Sequence, residues 1–270
     1  MSALLKLDPR GVLRALDAID RQWGRTSTPE WRSIAGLLTL VAICLLGIHY
    51  LKSHAVFREV VFIAAGPEVA TALLAGPWGH LAAEAWWGLV HVIGYVVVPV
   101  VYLWSGPRIR ALDVGLRWRD TTSWLGWYAL LAAPIVVFAF VASFTEAFTQ
   151  TYPFYGLAGR SWVDLFAWEM IYLMQFVCLE FFFRGFMLER LAPRIGAGAI
   201  FVMVVPYMMI HLSKPWPEAF GAILFGIVLG ILALRSRSIW GGALVHMTIA
   251  LSMDVMSLAQ TGRWPVQVWP

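Results

Sequence analysis

Seven apolar stretches, most of them about twenty residues long, leave this chain few ways to fold. A run of that length crosses the roughly 30 Å hydrocarbon core of a bilayer as a helix, in which every backbone N–H and C=O is satisfied within the segment. The runs are 33–51, 82–104, 123–144, 162–188, 197–211, 217–234 and 239–258. The fifth is short and carries Pro206. Composition points the same way: 60% of the 270 residues are hydrophobic and 13% are charged, about half the charged share of a soluble domain. The expected fold is all-α, a polytopic transmembrane helix bundle of seven spans.

Charge sets the expected topology. With the N-terminus inside, the inner segments hold Lys6, Arg10, Arg14, Arg21, Arg25, Arg32, Arg108, Arg110, Arg117, Arg119, Arg190, Arg194, Arg235 and Arg237. The outer segments hold Lys52, Arg58, Arg160, Lys214 and Arg263. Fourteen against five is the bias of the positive-inside rule, giving a cytoplasmic N-terminus and an outer C-terminus. The apolar stretch 56–75 is interrupted by Arg58, Glu59, Gly66, Pro67 and Glu68. It reads as a re-entrant or interfacial helix. An eighth span there is the alternative, but it would move the basic cluster at 108–119 outside.

Smaller signals fill in the organisation. Residues 10–23 alternate as a short amphipathic helix on the inner leaflet would. Thr28-Pro29-Glu30 has the pattern of an N-cap, a first-turn proline and an early acid. Gly226 and Gly230, four apart, allow close helix contact. No cleavable leader is expected, because the first 33 residues lack an apolar core. Cys44 and Cys178 both fall in apolar runs, which excludes a disulfide framework. The organisation expected is an amphipathic N-terminal segment (1–32), an N-terminal membrane region (33–160), a C-terminal membrane core (161–260) and a tail (261–270). The net charge of +4 suits anionic lipid, and no nucleic-acid surface is expected.

Glu180, His211 and His246 fall in three of the apolar runs. Ionisable groups at bilayer depth are costly and default to a functional role, and Glu with His is a frequent acid–base pair. Helix rise puts all three roughly 10–20 Å deep, so one shared site is geometrically allowed. Arg184 lies four residues after Glu180 on the same face and can pair with it. Glu169, eleven residues earlier, lies within roughly 20° of that face. A purely structural ion pair, or separately satisfied core histidines, is the competing account of each residue alone.

These residues carry a resemblance. Leu179-Glu-Phe-Phe-Phe-Arg-Gly-Phe186 resembles the EExxxR motif of the CPBP group, the CAAX prenyl endopeptidases and bacteriocin-processing Abi proteins. Tyr207-Met-Met-Ile-His211 is similar to its FxxxH motif, and the turn and helix leading to His246 resemble its third motif. The resemblance covers roughly 162–258. It implies an intramembrane endopeptidase that cuts a membrane-associated substrate near a C-terminal anchor or processing site. Glu180 and His211 would activate water, His246 would donate to the oxyanion and Arg184 would hold Glu180. Glu169, Asp254 and Tyr207 are candidate supporting residues.

Two positions depart from the family. Leu179 stands where the first glutamate, usually assigned as base, is expected, and Ala250 stands where the third motif usually has Asn. A divergent enzyme using Glu180 as base is expected; a catalytically inactive scaffold or regulator is the alternative, and a transporter is the remaining class. No cofactor is expected. Zinc on Glu180, His211 and His246 is the rival mechanism, since two His, one Glu and a water form a known zinc set. The expected partners are a membrane-anchored protein or peptide and the lipid bilayer. Prenylated CAAX peptides, bacteriocin leaders and C-terminal sorting anchors all suit the substrate, and the expected location is a bacterial inner membrane.

Overall fold

The computed structural model describes residues 9–23, 31–104, 114–214 and 216–270. Lys6, the Thr28-Pro29-Glu30 cap, Arg25, Arg108 and Arg110 lie outside them. Among the described residues the chain is helical and has no strand. In order it forms α1 (Pro9–Trp23), α2 (Trp31–Leu51), α3 (His54–Ala65), α4 (Pro67–Ala75) and α5 (Gly79–Val92). A π-helical turn at Ile93–Val97 leads into α6 (Val98–Trp104). Then come α7 (Trp118–Thr122), α8 (Leu125–Ala142), α9 (Glu146–Thr151) and α10 (Trp162–Glu180). A second π segment, Phe181–Leu188, continues into α11 (Glu189–Ile195), followed by α12 (Gly198–Met209), α13 (Trp216–Ser236) and α14 (Trp240–Thr261).

Among the described residues, six helical segments are long and apolar enough to cross a membrane: Ile34–Leu51, Gly79–Trp104, Leu125–Ala142, Trp162–Ile195, Glu218–Ser236 and Trp240–Thr261. They match six of the seven expected runs. The fifth run differs. It folds as the 12-residue α12, about 18 Å long and too short to cross alone. Pro206 lacks the N–H that would continue the ladder, and beyond it the bonds tighten to His211 N–H→Met208 O and Leu212 N–H→Met209 O. His211 therefore sits in the turn after the helix, not within it. The stretch 56–75 becomes the α3–α4 pair, broken at Gly66 and packed together.

The chain divides into two compact units, each drawn from several stretches. The first comprises Met1–Ala42, Tyr102–Leu125 and Glu180–Gly242. Here α1 turns Ala15 and Ile19 inward, packs against α11 and α13, and leaves Arg10, Arg14 and Asp17 exposed. The amphipathic face is thus covered by protein. α12 and α13 form the closest helix pair of the unit. Gly230 meets Ile200 and Met203, and Gly226 meets Tyr207 and Val204, the close approach expected of two small residues four apart. The turn at Gly115 is tied to the start of α14 by Ile239 N–H→Gly115 O, 3.0 Å, and Thr121 bonds Ser238 at 2.6 Å.

The second unit comprises Ile43–Val101, Gly126–Leu179 and Ala243–Pro270. Its core is aromatic: Trp168, Tyr172 and Tyr155 are buried with Ala158, Leu165, Ala250 and Leu258, and Trp87 and Phe176 pack on them. The N-terminal end of α10 is closed by the C-terminal tail, whose Gln267 and Val268 carbonyls accept from the Trp162 and Val163 N–H groups. These are donors that a helix start leaves unsatisfied. Asp164 is fully buried there and accepts from Arg160, Tyr155 and Ser161 at 2.7–2.8 Å. That hydrogen bonding holds the Arg160 guanidinium above its ordinary range, against the pull of partial burial.

Candidate active site

Glu180 is the last residue of α10 before the helix widens into its π segment. All eight residues Phe181–Leu188 are buried, and so is Glu180 at 1% exposure. A helix buried on every side is surrounded by protein. π turns inside α-helices are uncommon and recur at functional sites. Arg184 Nη1 lies 2.9 Å from Glu180 Oε1, forming the expected pair with both side chains essentially inaccessible. Two further contacts fix it. The Arg184 guanidinium lies over the Tyr207 ring at 4.2 Å, and a Cβ at Gly242 would overlap the Glu180 carboxylate. Only glycine leaves room for that carboxylate where it stands.

Tyr207 links this pair to a histidine. It is buried on α12, meets Phe183 edge-on at 5.4 Å and lies 5.0 Å from the His211 ring. His211 Nδ1 is 2.9 Å from the Tyr207 carbonyl. A carbonyl only accepts, so Nδ1 carries the hydrogen, and in the neutral ring Nε2 keeps its lone pair. His211 is half-buried. Glu180, Arg184, Tyr207 and His211 thus form one connected group within the first unit.

The remaining candidates lie in the second unit. His246, on α14, is 9% exposed and stacks on Phe176 with rings 5.4 Å apart and nearly parallel. Phe176 is one turn before Glu180 on α10; at four-residue spacing Trp168 stacks on Tyr172, and Tyr172 meets Phe176 at a tilt. Along α10 the sequence therefore runs Trp168, Tyr172, Phe176, Glu180, Arg184, a ridge whose regular spacing is the missed signal for how His246 is seated. Glu169 and Asp254 come together: the Asp254 carboxylate accepts from Trp168 Nε1 at 2.8 Å and lies within side-chain interaction range of Glu169. Leu179 and Ala250, the two departures, are both buried at 3% exposure. Among the described residues no group of three His, Cys, Asp or Glu side chains is gathered as metal ligands would be.

No curated protein and no solved structure matches the chain. One family model does, over residues 160–252: Rce1-like, type II CAAX prenyl endopeptidase Rce1-like. The matched stretch contains Glu180, Arg184, Tyr207, His211 and His246, so this third of the integral membrane protein is similar to the type II CAAX prenyl endopeptidases.

Proposed function

We propose that the chain is an intramembrane endopeptidase that hydrolyses a peptide bond of a membrane-anchored protein or peptide through a water activated by Glu180. The observation that carries the reading is the buried Glu180–Arg184 pair, held over Tyr207 and against Gly242. A carboxylate held at one oxygen by a planar cation is fixed in position and aimed, as a general base must be. The Rce1-like match supplies the reaction class.

In this mechanism Glu180 takes a proton from water as the oxygen attacks the peptide carbonyl carbon, then passes it to the leaving amine. His211 presents Nε2, with its ring fixed through Nδ1, and assists in orienting the water. His246 donates to the carbonyl oxygen as it gains negative charge, a role that requires a donor positioned in advance. The substrate comes from the three chemistries named above: a prenylated C-terminal peptide, a leader peptide or a C-terminal anchor. Leu179 and Ala250 support a second reading, a scaffold that has lost catalysis, because apolar groups fill positions where the family carries polar ones.

The test is co-expression with membrane-anchored candidates of each substrate class, comparing the native chain with Glu180→Gln. Cleavage of one class by the native chain and none by the variant, at equal membrane levels, is expected. Equal cleavage by both would move the base to another acid, and no cleavage of any class would favour the scaffold.

A further inference from the structure

Past α14 the chain turns back across the start of α10. Gly262, at φ 64°, ends α14, and the Arg263 N–H bonds the Leu258 carbonyl at 3.1 Å. Gly159 leaves room for the Arg263 backbone, where a Cβ would overlap the carbonyl. The Arg263 guanidinium donates to the Thr149 carbonyl at 3.1 Å and to the Thr261 hydroxyl at 2.9 Å. Further on, the Gln267 and Val268 carbonyls take the Trp162 and Val163 N–H groups at 3.0 and 3.1 Å, and Trp269 meets Trp78 edge-on at 6.4 Å. Backbone bonds therefore hold the segment 263–270 in place.

What the segment turns outward is apolar. Val266 is 96% exposed, and Trp264, Val268 and Trp269 are exposed beside it, with Gln267 the one polar member of the set. No residue from 264 to 270 is charged. At the same end of the unit α9, tied to the segment through Thr149, turns out Thr145, Glu146, Gln150 and Thr151. Neighbouring pieces of chain thus present opposite chemistry, as they would if one met water and the other lipid. Trp162, which the segment caps, begins the long apolar helix Trp162–Ile195. Trp78 and Trp162 are exposed there, and Phe166, stacked on Trp162 at 5.8 Å, carries the apolar surface along α10. Indole rings gather where a span meets the headgroups, and that level, unlike the hydrocarbon core, admits non-helical backbone.

We propose that residues 264–269 are a strap seated in the bilayer, with Trp264, Val266, Val268 and Trp269 inserted at the boundary of headgroups and acyl chains around the start of α10. The partner is the lipid surface. Burial of apolar area drives the insertion, so it does not depend on headgroup charge: the one cation of the segment, Arg263, is already bound to carbonyl and hydroxyl groups of the protein.

A nitroxide attached at Val266→Cys, in the full chain in nanodiscs holding one copy each, tests the strap. Oxygen concentrates in the bilayer and a nickel chelate stays in water, so the two collision rates report the environment. Gln150→Cys on α9 is the reference, and the native chain in parallel shows any signal from the buried Cys44 and Cys178. The ratio of oxygen to nickel collisions should be several-fold higher at 266 than at 150, and equal in phosphatidylcholine discs with and without phosphatidylglycerol. If Val266→Cys does not assemble, Val268→Cys carries the same comparison. Nickel collisions at 266 as frequent as at 150 would place the segment in water and overturn the proposal. Exclusion of both reagents would mean that protein covers it, and lipid access confined to anionic discs would mean that charge draws it in; either result also overturns it.

Discussion

At the scale of single residues, the Glu180–Arg184 pair separates stability from chemistry. Both side chains are inaccessible, so Arg184→Ala leaves a buried carboxylate uncompensated. Removing one partner of a buried pair costs about 3–5 kcal/mol, and the expected result is a sharp loss of folded protein in the membrane. Arg184→Lys keeps the charge but loses the planar face that lies over Tyr207. It should fold and lose most cleavage. Purified yield and thermal unfolding, measured beside cleavage, distinguish the two outcomes. Gly242→Ala makes a subtler change: its Cβ would occupy space held by the Glu180 carboxylate. It should lower cleavage through kcat with little effect on KM, because the displaced group is the proposed base and not a substrate contact. A Gly242→Ala chain with native kcat would show that the position of Glu180 does not matter.

At the scale of elements, the helices were legible where the bilayer dictates them, and less so where local packing does. Six apolar runs became long helices because hydrocarbon admits almost nothing else. The Glu180–Arg184 pair was legible from four-residue spacing alone. The end of α12 before His211 was not, since a proline inside an apolar run can bend, break or sit within a helix depending on its neighbours. The π segment has no compositional mark: Phe-Phe-Phe-Arg-Gly-Phe suits an α-helix equally well. Glu169 shows a related limit. Its place on the Glu180 face was readable from periodicity, but its Asp254 neighbour comes from a helix 85 residues away and is fixed by packing. The α12–α13 contact offers a test at this scale. A Cβ at Gly226 would stand 2.9 Å from Tyr207 Cδ1, whereas Gly221 on the same helix has open space. Gly226→Val should destabilise by about 1–3 kcal/mol through overpacking. Gly221→Ala should stabilise by up to about 1 kcal/mol through helix propensity. Thermal unfolding of the two variants measures both, and equal effects would show that α12 and α13 do not meet closely at Gly226.

At the scale of the whole molecule, the short α12 raises the question of where the C-terminus lies. Counting six long helices as six crossings would put both termini on one side. The first unit argues otherwise, because α12 and α13 pack together as a hairpin. The residues flanking the hairpin are Arg190 and Arg194 before it, and Arg235 and Arg237 after it. Basic groups favour the cytoplasmic side, so the hairpin is expected to enter and leave from that side whether or not α12 crosses completely. The continuous helix Trp162–Ile195 is consistent with this: its 34 residues extend about 51 Å, well beyond a core of roughly 30 Å, and can carry Arg190 and Arg194 clear of the hydrocarbon. Crossings before and after the hairpin would then total five, an odd number, which predicts termini on opposite sides. The expected topology is an inner N-terminus, an inner Arg117 and an outer Pro270. Reporter fusions at Arg117 and after Pro270 should give opposite signals, and a third fusion at Lys214 reports how far the hairpin reaches. If the first two report the same side, the hairpin is not a return to the cytoplasm and the charge argument fails. If Lys214 reports outside, the turn carrying His211 reaches the far surface, and the depth of the proposed site must be placed nearer that face.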